Sequence, residues 1–153
     1  MRIDPPQAPR RYAAVGRNLR SVLQQDLQRV GPQTVRLLQE ATVRLGKVDT
    51  RRYLEGWRAR VGGTTLTVAN EADHASFVER GRRRGRMPPV AVISAWAARK
   101  LGDARLGWPI ARAIARRGIR PTRIGTARDM RRRVRALVHA VFRDALARAL
   151  RRG

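Results

Sequence analysis

Apolar residues recur at helical spacing over most of this chain, interrupted by one interval of strict alternation. From about Arg10, Tyr12, Val15, Leu19, Val22, Leu23, Leu27 and Val30 fall three or four residues apart, which predicts an amphipathic helix. Gly31-Pro32 should break it, with Pro32 opening a second helix that carries Val35, Leu38, Thr42 and Leu45 on one face and stops at Gly46. Residues 1–9, with three prolines, read as an extended arm. The alternating interval begins at Trp57, where Trp57, Ala59 and Val61 alternate with Arg58 and Arg60. Gly62-Gly63 is a hairpin signal, and Leu66 and Val68 resume the period of two. A lone hairpin is marginal in water, so this one requires packed helices or strands from a partner.

Beyond Asn70 a short helix should carry Ala72, Ala75, Phe77 and Val78 as far as Gly81, with Phe77 and Val78 packed under the hairpin. An arginine-laden loop follows, and Pro88-Pro89 opens a helix marked by Val90, Val92, Ile93, Trp96, Ala97 and Leu101 that ends at Gly102. Leu106-Gly107-Trp108-Pro109 reads as a turn, Ile110–Ile114 as a short helix stopping at Gly118, and residues 119–125 as extended, because Pro121 disfavours helix before it. Thr126 is the expected N-cap of a long basic helix over residues 126–151, with an apolar stripe from Met130 to Ala149. The expected fold is therefore a single helix-rich α+β domain over residues 1–153. It has N-terminal helices, a small antiparallel β-hairpin and a long C-terminal helix.

Charge divides this pattern unevenly. The chain of 153 residues has a formal net charge of +24, from 35 Lys+Arg against 11 Asp+Glu. After Glu79 the acids are Asp103, Asp129 and Asp144 alone, so the second half carries most of the excess. A field of this sign draws polyanions. Only Lys47 and Lys100 are lysine. A GC-rich genome explains arginine over lysine as well as function does, but it does not explain the scarcity of acids. There is no cysteine, which excludes disulfides, thiolate catalysis and Cys-based metal sites. Neither a signal peptide nor an apolar run of membrane-spanning length is visible, so the expectation is a cytosolic protein with no membrane partner.

The chemistry-bearing residues point away from catalysis. His74 lies near Glu71, Asp73 and Glu79, but His-x4-Glu without a second well-placed ligand is a weak metal signal, and His139 is remote in the last helix. Gly81 and Gly85 lack the Lys-Ser/Thr ending of a phosphate cradle, and no serine stands in a nucleophile-elbow context. No enzyme, cofactor or metal is expected. Two arginine runs remain. Arg80, Arg82, Arg83, Arg84 and Arg86 form one; Arg128, Arg131, Arg132, Arg133 and Arg135 form the other. Each is either a solvated surface or a contact for DNA phosphates or an acidic protein. Without interleaved aromatic residues, DNA contact would be sequence-independent. Trp57, Phe77, Trp96 and Trp108 are expected core or subunit-interface anchors.

Several of these stretches together resemble a known family. Thr64–Gly81 (strand, Asn70, short helix with Ala75 and Phe77-Val78-Glu79, then glycine) is similar to a segment of the tail-completion, or neck, proteins of long-tailed bacteriophages, also described as minor tail Z-like. Pro88-Pro89 leading to Trp96 and Lys100-Leu101-Gly102 resembles the family's proline–tryptophan helix. The run from Ile110 to Pro121 resembles its late helix, Arg-Gly-Ile and proline element, and Val48-Asp49-Thr50 resembles its connector. The likeness covers roughly residues 48–124. Arg51 stands where the family usually has glycine, and His74 where a tyrosine is common.

The resemblance implies a structural virion protein at the head–tail junction, made in the host cytoplasm. Its subunits would form a ring, expected as a hexamer, joining portal and tail and passing double-stranded DNA. The implied partners are copies of itself, other neck, portal and tail proteins, and transiently DNA. Because a ring of arginines would grip DNA tightly at low salt, part of the charge is expected to face acidic neighbouring rings. The alternative is a sequence-independent nucleic-acid-packaging protein of nucleoid or ribosomal type.

Overall fold

Helix α1 runs without interruption from Ala8 to Arg44 in the computed structural model, which describes residues 8–152 of the chain, with side chains from 16 to 151. The break expected at Gly31-Pro32 does not occur. Pro32 removes one helical hydrogen bond, at a cost of about 3 kcal/mol. Val22, Leu27, Val30, Leu38 and Ala41 form a buried stripe that continues through it. Burying one such aliphatic side chain is worth roughly 1.5–3 kcal/mol, so the stripe outweighs the proline. Ala8 and Pro9 already belong to α1, and the rest of the expected N-terminal arm lies outside the described residues.

The elements that follow are a single helical turn, α2 (Arg52–Glu55), then strands β1 (Trp57–Gly62) and β2 (Thr65–Asn70), and the short helix α3 (Ala75–Arg80). Helix α4 (Val90–Leu101), a 3-10 turn (Ala104–Leu106), α5 (Gly107–Arg117) and the long α6 (Arg128–Arg152) complete the chain. The architecture is thus the expected helix-rich α+β type, with N-terminal helical structure, a two-stranded antiparallel sheet and a long C-terminal helix. The hairpin shows the predicted alternation: Trp57, Ala59 and Val61 turn inward while Arg58 and Arg60 are exposed. α4 ends where expected, on Gly102 in the left-handed region with φ 78°. The turn expected at Leu106–Pro109 is instead the start of α5; Pro109, in the first helical turn, needs no partner for its missing N–H.

By contact the chain sorts into two compact units. One comprises α1 as far as Leu37, Arg58–Ala69 and α6; the other comprises Leu38–Trp57 and Asn70–Ala127. In the first, Gly31 lies against the hairpin: a Cβ there would stand 3.2 Å from the Ala59 Cβ and 3.6 Å from Leu66 Cδ1. Gly31 therefore serves a close approach rather than a helix stop. Asp26, buried among Leu27 and Val30, is ion-paired with Arg148 of α6, whose Ala145 and Ala149 are fully buried. In the second unit, α4 packs on α5, and Gly107 is the contact point because any Cβ there would collide with Ser94.

The second unit's core centres on Trp57, 5% exposed, with Tyr53 edge-on to it at 5.7 Å and Gly125 beneath its ring. The indole N–H of Trp57 donates to Thr42 Oγ1 at 3.2 Å, and that hydroxyl donates to the Leu38 carbonyl at 2.8 Å, so both buried polar groups are satisfied.

Candidate partner-binding surface

The surface is built outward from one carboxylate. Glu79, at the end of α3, accepts four hydrogen bonds. Its Oε1 takes the Tyr53 hydroxyl at 2.9 Å and the Gly125 N–H at 2.8 Å; its Oε2 takes the Thr126 N–H at 3.3 Å and the Thr126 hydroxyl at 3.1 Å. Burial, and then the bond to Glu79, push the Tyr53 phenol well above its ordinary pKa. The Thr126 hydroxyl donates to Glu79, and α6 starts only at Arg128, so Ala127 and not Thr126 stands immediately before the helix. The last acid before the arginine loop is fully engaged with uncharged donors, so it neutralises none of the arginines that follow.

Asn70 fixes the same region from the other side. Its Nδ2 donates to the Tyr53 carbonyl at 2.7 Å and its Oδ1 accepts from the Ala72 N–H at 3.0 Å, turning the chain out of β2. His74 occupies the N-cap position of α3 but makes no side-chain cap bond; its ring lies 5.9 Å from that of Tyr53. Among the described residues no cluster of three or more His, Asp and Glu could hold a metal ion.

From Gly81 onward the arginine loop is tied to a segment remote in sequence. Arg82 and Ile119 form an antiparallel bridge, the Arg82 N–H donating to the Ile119 carbonyl at 2.9 Å and the Ile119 N–H to the Arg82 carbonyl at 2.8 Å. The Gly85 N–H donates to the Ala115 carbonyl at 2.7 Å, and the Thr122 N–H to the Val78 carbonyl at 2.8 Å. Two glycines make this approach possible. Gly81 ends α3 with φ 73°, ψ −168°, and Gly118 ends α5 with φ 74°, ψ −167°. Each has the other strand's carbonyl where a Cβ would stand, and this backbone region is accessible essentially to glycine alone.

The bridge places Arg83 and Arg84 beside Gly118 and so brings a third group of arginines, Arg116, Arg117, Arg120 and Arg123, to the loop. Sequence reasoning missed this group. The signal that could have found it is the matched pair of glycines, each closing a short helix and each followed by a bridge residue. Arg80, Arg83, Arg84, Arg86, Arg116, Arg117, Arg120 and Arg123 are exposed, and among the described residues none has an ion-pair partner. Arg82 is different: its guanidinium lies 5.6 Å over the Phe77 ring and its Nη2 donates to the Arg86 carbonyl at 2.8 Å.

Phe77, expected to be packed, is instead 47% exposed beneath Arg82, and the buried residue of α3 is Ala75. Of the expected aromatic anchors, Trp57 is in the core, whereas Trp96 and Trp108 are exposed, with the Arg112 guanidinium 5.2 Å over the Trp108 ring. In α6, Arg128, Arg131, Arg132, Arg133 and Arg135 are all exposed.

The connector before α2 is held as well. Arg99 grips Asp49 through Nη2 at 2.7 Å and Nε at 3.2 Å, and Lys100 Nζ donates to the Val48 carbonyl at 2.7 Å. The hydrogen bonds from Arg99 hold the Asp49 carboxyl below its ordinary pKa. Among the described residues no helix is long and apolar enough to cross a membrane. Compared with known protein families, curated proteins and solved structures, the chain matches none.

Proposed function

We propose that this chain is a structural protein of the head–tail junction of a long-tailed bacteriophage, acting as a homo-oligomeric ring between portal and tail through which DNA passes. One observation carries the reading. The short stretches that resemble the neck family, scattered over residues 48–121, are linked by hydrogen bonds, and all but the strand Thr64–Ala69 belong to one of the two compact units. Asp49 of the connector pairs with Arg99 of the proline–tryptophan helix. Asn70, which ends β2, holds the carbonyl of Tyr53, and Tyr53 holds Glu79. Gly81 after α3 and Gly118 after α5 meet across one bridge.

Two surface features support an assembling subunit. Trp96, Trp108 and Phe77 expose aromatic area that a partner would bury. The sheet has only two strands, so each strand has an outer edge that pairs with no strand among the described residues.

The test is the mass of the nuclease-treated protein in solution at about 0.5 M salt, where charge-driven bridging by DNA is screened. A discrete ring-sized species, or a monomer that forms rings only on purified tails or capsids, is the expected result. A monomer that ignores both yet condenses DNA when salt is lowered would replace this reading with the packaging alternative.

A further inference from the structure

Three apolar side chains stand half-exposed around Arg82. Phe77, 47% exposed, lies under its guanidinium; Ile119, 43% exposed, is its backbone bridge partner; Met87, 39% exposed, follows Arg86, whose carbonyl accepts from Arg82. Arg83, Arg84, Arg86 and Arg120 border them, exposed and without an ion-pair partner among the described residues. The backbone beneath is already fixed by the bridge and by the Gly85–Ala115 bond, so little ordering cost remains for binding.

An apolar centre within a charged rim is the anatomy of a protein interface. A phosphate backbone would satisfy the guanidinium groups but offer nothing to Phe77, Met87 and Ile119. A second copy of this chain is also a poor match. Of its 11 acids, Asp26, Asp49, Glu55, Glu79 and Asp103 are engaged within the chain. Glu71 is engaged as well, and Glu40, Asp129 and Asp144 each sit on a helix with arginines one to four residues away, so among the described residues only Asp73 stands apart, and one carboxylate is not an acidic face.

We propose that the Arg82-centred surface docks a segment of a different protein, one whose carboxylates surround apolar side chains. The inference rests on the head–tail reading only for naming that protein as a virion neighbour; the chemistry of the segment follows from the surface itself.

The test uses the full chain and two synthetic helical peptides of equal glutamate content, one with leucines between the glutamates and one with glutamines in their place. A short DNA duplex serves as the third probe. At elevated salt the leucine peptide should bind about tenfold tighter than the glutamine peptide. The double variant Met87→Gln, Ile119→Thr, both at exposed positions and the second compatible with the bridge, should close that gap and leave duplex binding unchanged. Equal binding of the two peptides, or a gap that survives the double variant, overturns the proposal. Loss of duplex affinity in the double variant overturns it too and assigns the surface to nucleic acid. The two readings fail separately. A ring that forms at high salt without the peptide preference sinks only this inference. A peptide preference in a chain that stays monomeric and ignores tails and capsids sinks only the head–tail reading.

Discussion

Residues 80–86 and 128–135 each carry five arginines, yet what holds the backbone beneath them differs. In α6 the arginines stand on a continuous helix, so their spacing is set locally and they point around most of its circumference, with Met130 as the buried contact. In the loop the spacing is set by hydrogen bonds to Ala115 and Ile119, residues some thirty positions away in sequence. The same composition therefore gives a local charged rod in one place and a tertiary array in the other. A local array tolerates change anywhere else in the chain; a tertiary array can be dismantled by one substitution outside it.

Gly118→Ala is that substitution, and its effect should be the largest. The new Cβ would be driven into the Arg82 carbonyl while the backbone is held at φ 74°, ψ −167°. A loss of about 3 kcal/mol is expected from denaturant unfolding, with strain and the collision acting together. Amide exchange at Arg82 and Gly85 should accelerate, while exchange within α6 should follow global stability only. Persistent protection of Arg82 and Gly85 in the variant would collapse the distinction between the two arginine runs. Gly16→Ala, at an exposed α1 position with nothing near its Cβ, is the control and should stabilise by roughly 0.5–1 kcal/mol.

Glu79→Gln comes next. It keeps the shape of the anchor at the head of the loop but replaces one acceptor oxygen by an NH2 group, which then faces the donors of either Thr126 or Tyr53 and Gly125. A loss of about 2 kcal/mol is expected where the NH2 group faces the part-buried donors of Tyr53 and Gly125, and less where it faces exposed Thr126. Tyr53→Phe should lose about 1 kcal/mol, since it removes one bond and leaves Glu79 three. The pH dependence has a fixed sign. The Tyr53 phenol is raised in the folded state above its ordinary 10.0, so its contribution is complete below that value and is lost as the pH climbs above it. Absorbance titration of the folded protein should show one of its two tyrosines resisting ionisation, and Tyr53→Phe should abolish that resistant step.

How much of this was legible follows the same division between local and tertiary causes. α4 could be read to the residue, because Pro89 before it and Gly102 after it are local signals. The hairpin could be read from its alternation. Pro32 misled, since a local rule registers the missing N–H and not the buried stripe on both sides of it. Thr126 misled for the same reason: a carboxylate 47 positions earlier accepts from its N–H and hydroxyl, and the helix starts two residues later, at Arg128. Within the surface, both arginine runs were visible as composition. The convergence of Arg116, Arg117, Arg120 and Arg123 on the loop was not, because it exists only through the Arg82–Ile119 bridge.

The smallest effect tests the other half of the comparison, that the α6 run is governed locally. Arg128 begins α6 and Arg131 and Arg132 follow within its first turns, with Asp129 as the acid of the first turn. Positive side chains there oppose the positive end of the helix dipole. Replacing Arg128 and Arg131 by glutamine should therefore raise stability by roughly 0.3–1 kcal/mol per site at low salt, an effect that fades as salt screens it. Because the cause is local, an isolated peptide of residues 126–152 should gain helicity by circular dichroism from the same two replacements, in the same order of salt sensitivity. A peptide of residues 79–87, deprived of Ala115 and Ile119, has no bond to hold the Arg82 turn and should show no fixed structure with or without its charges. If instead the α6 peptide is indifferent while the intact protein responds, the α6 arginines answer to tertiary neighbours after all, and the contrast between rod and array disappears.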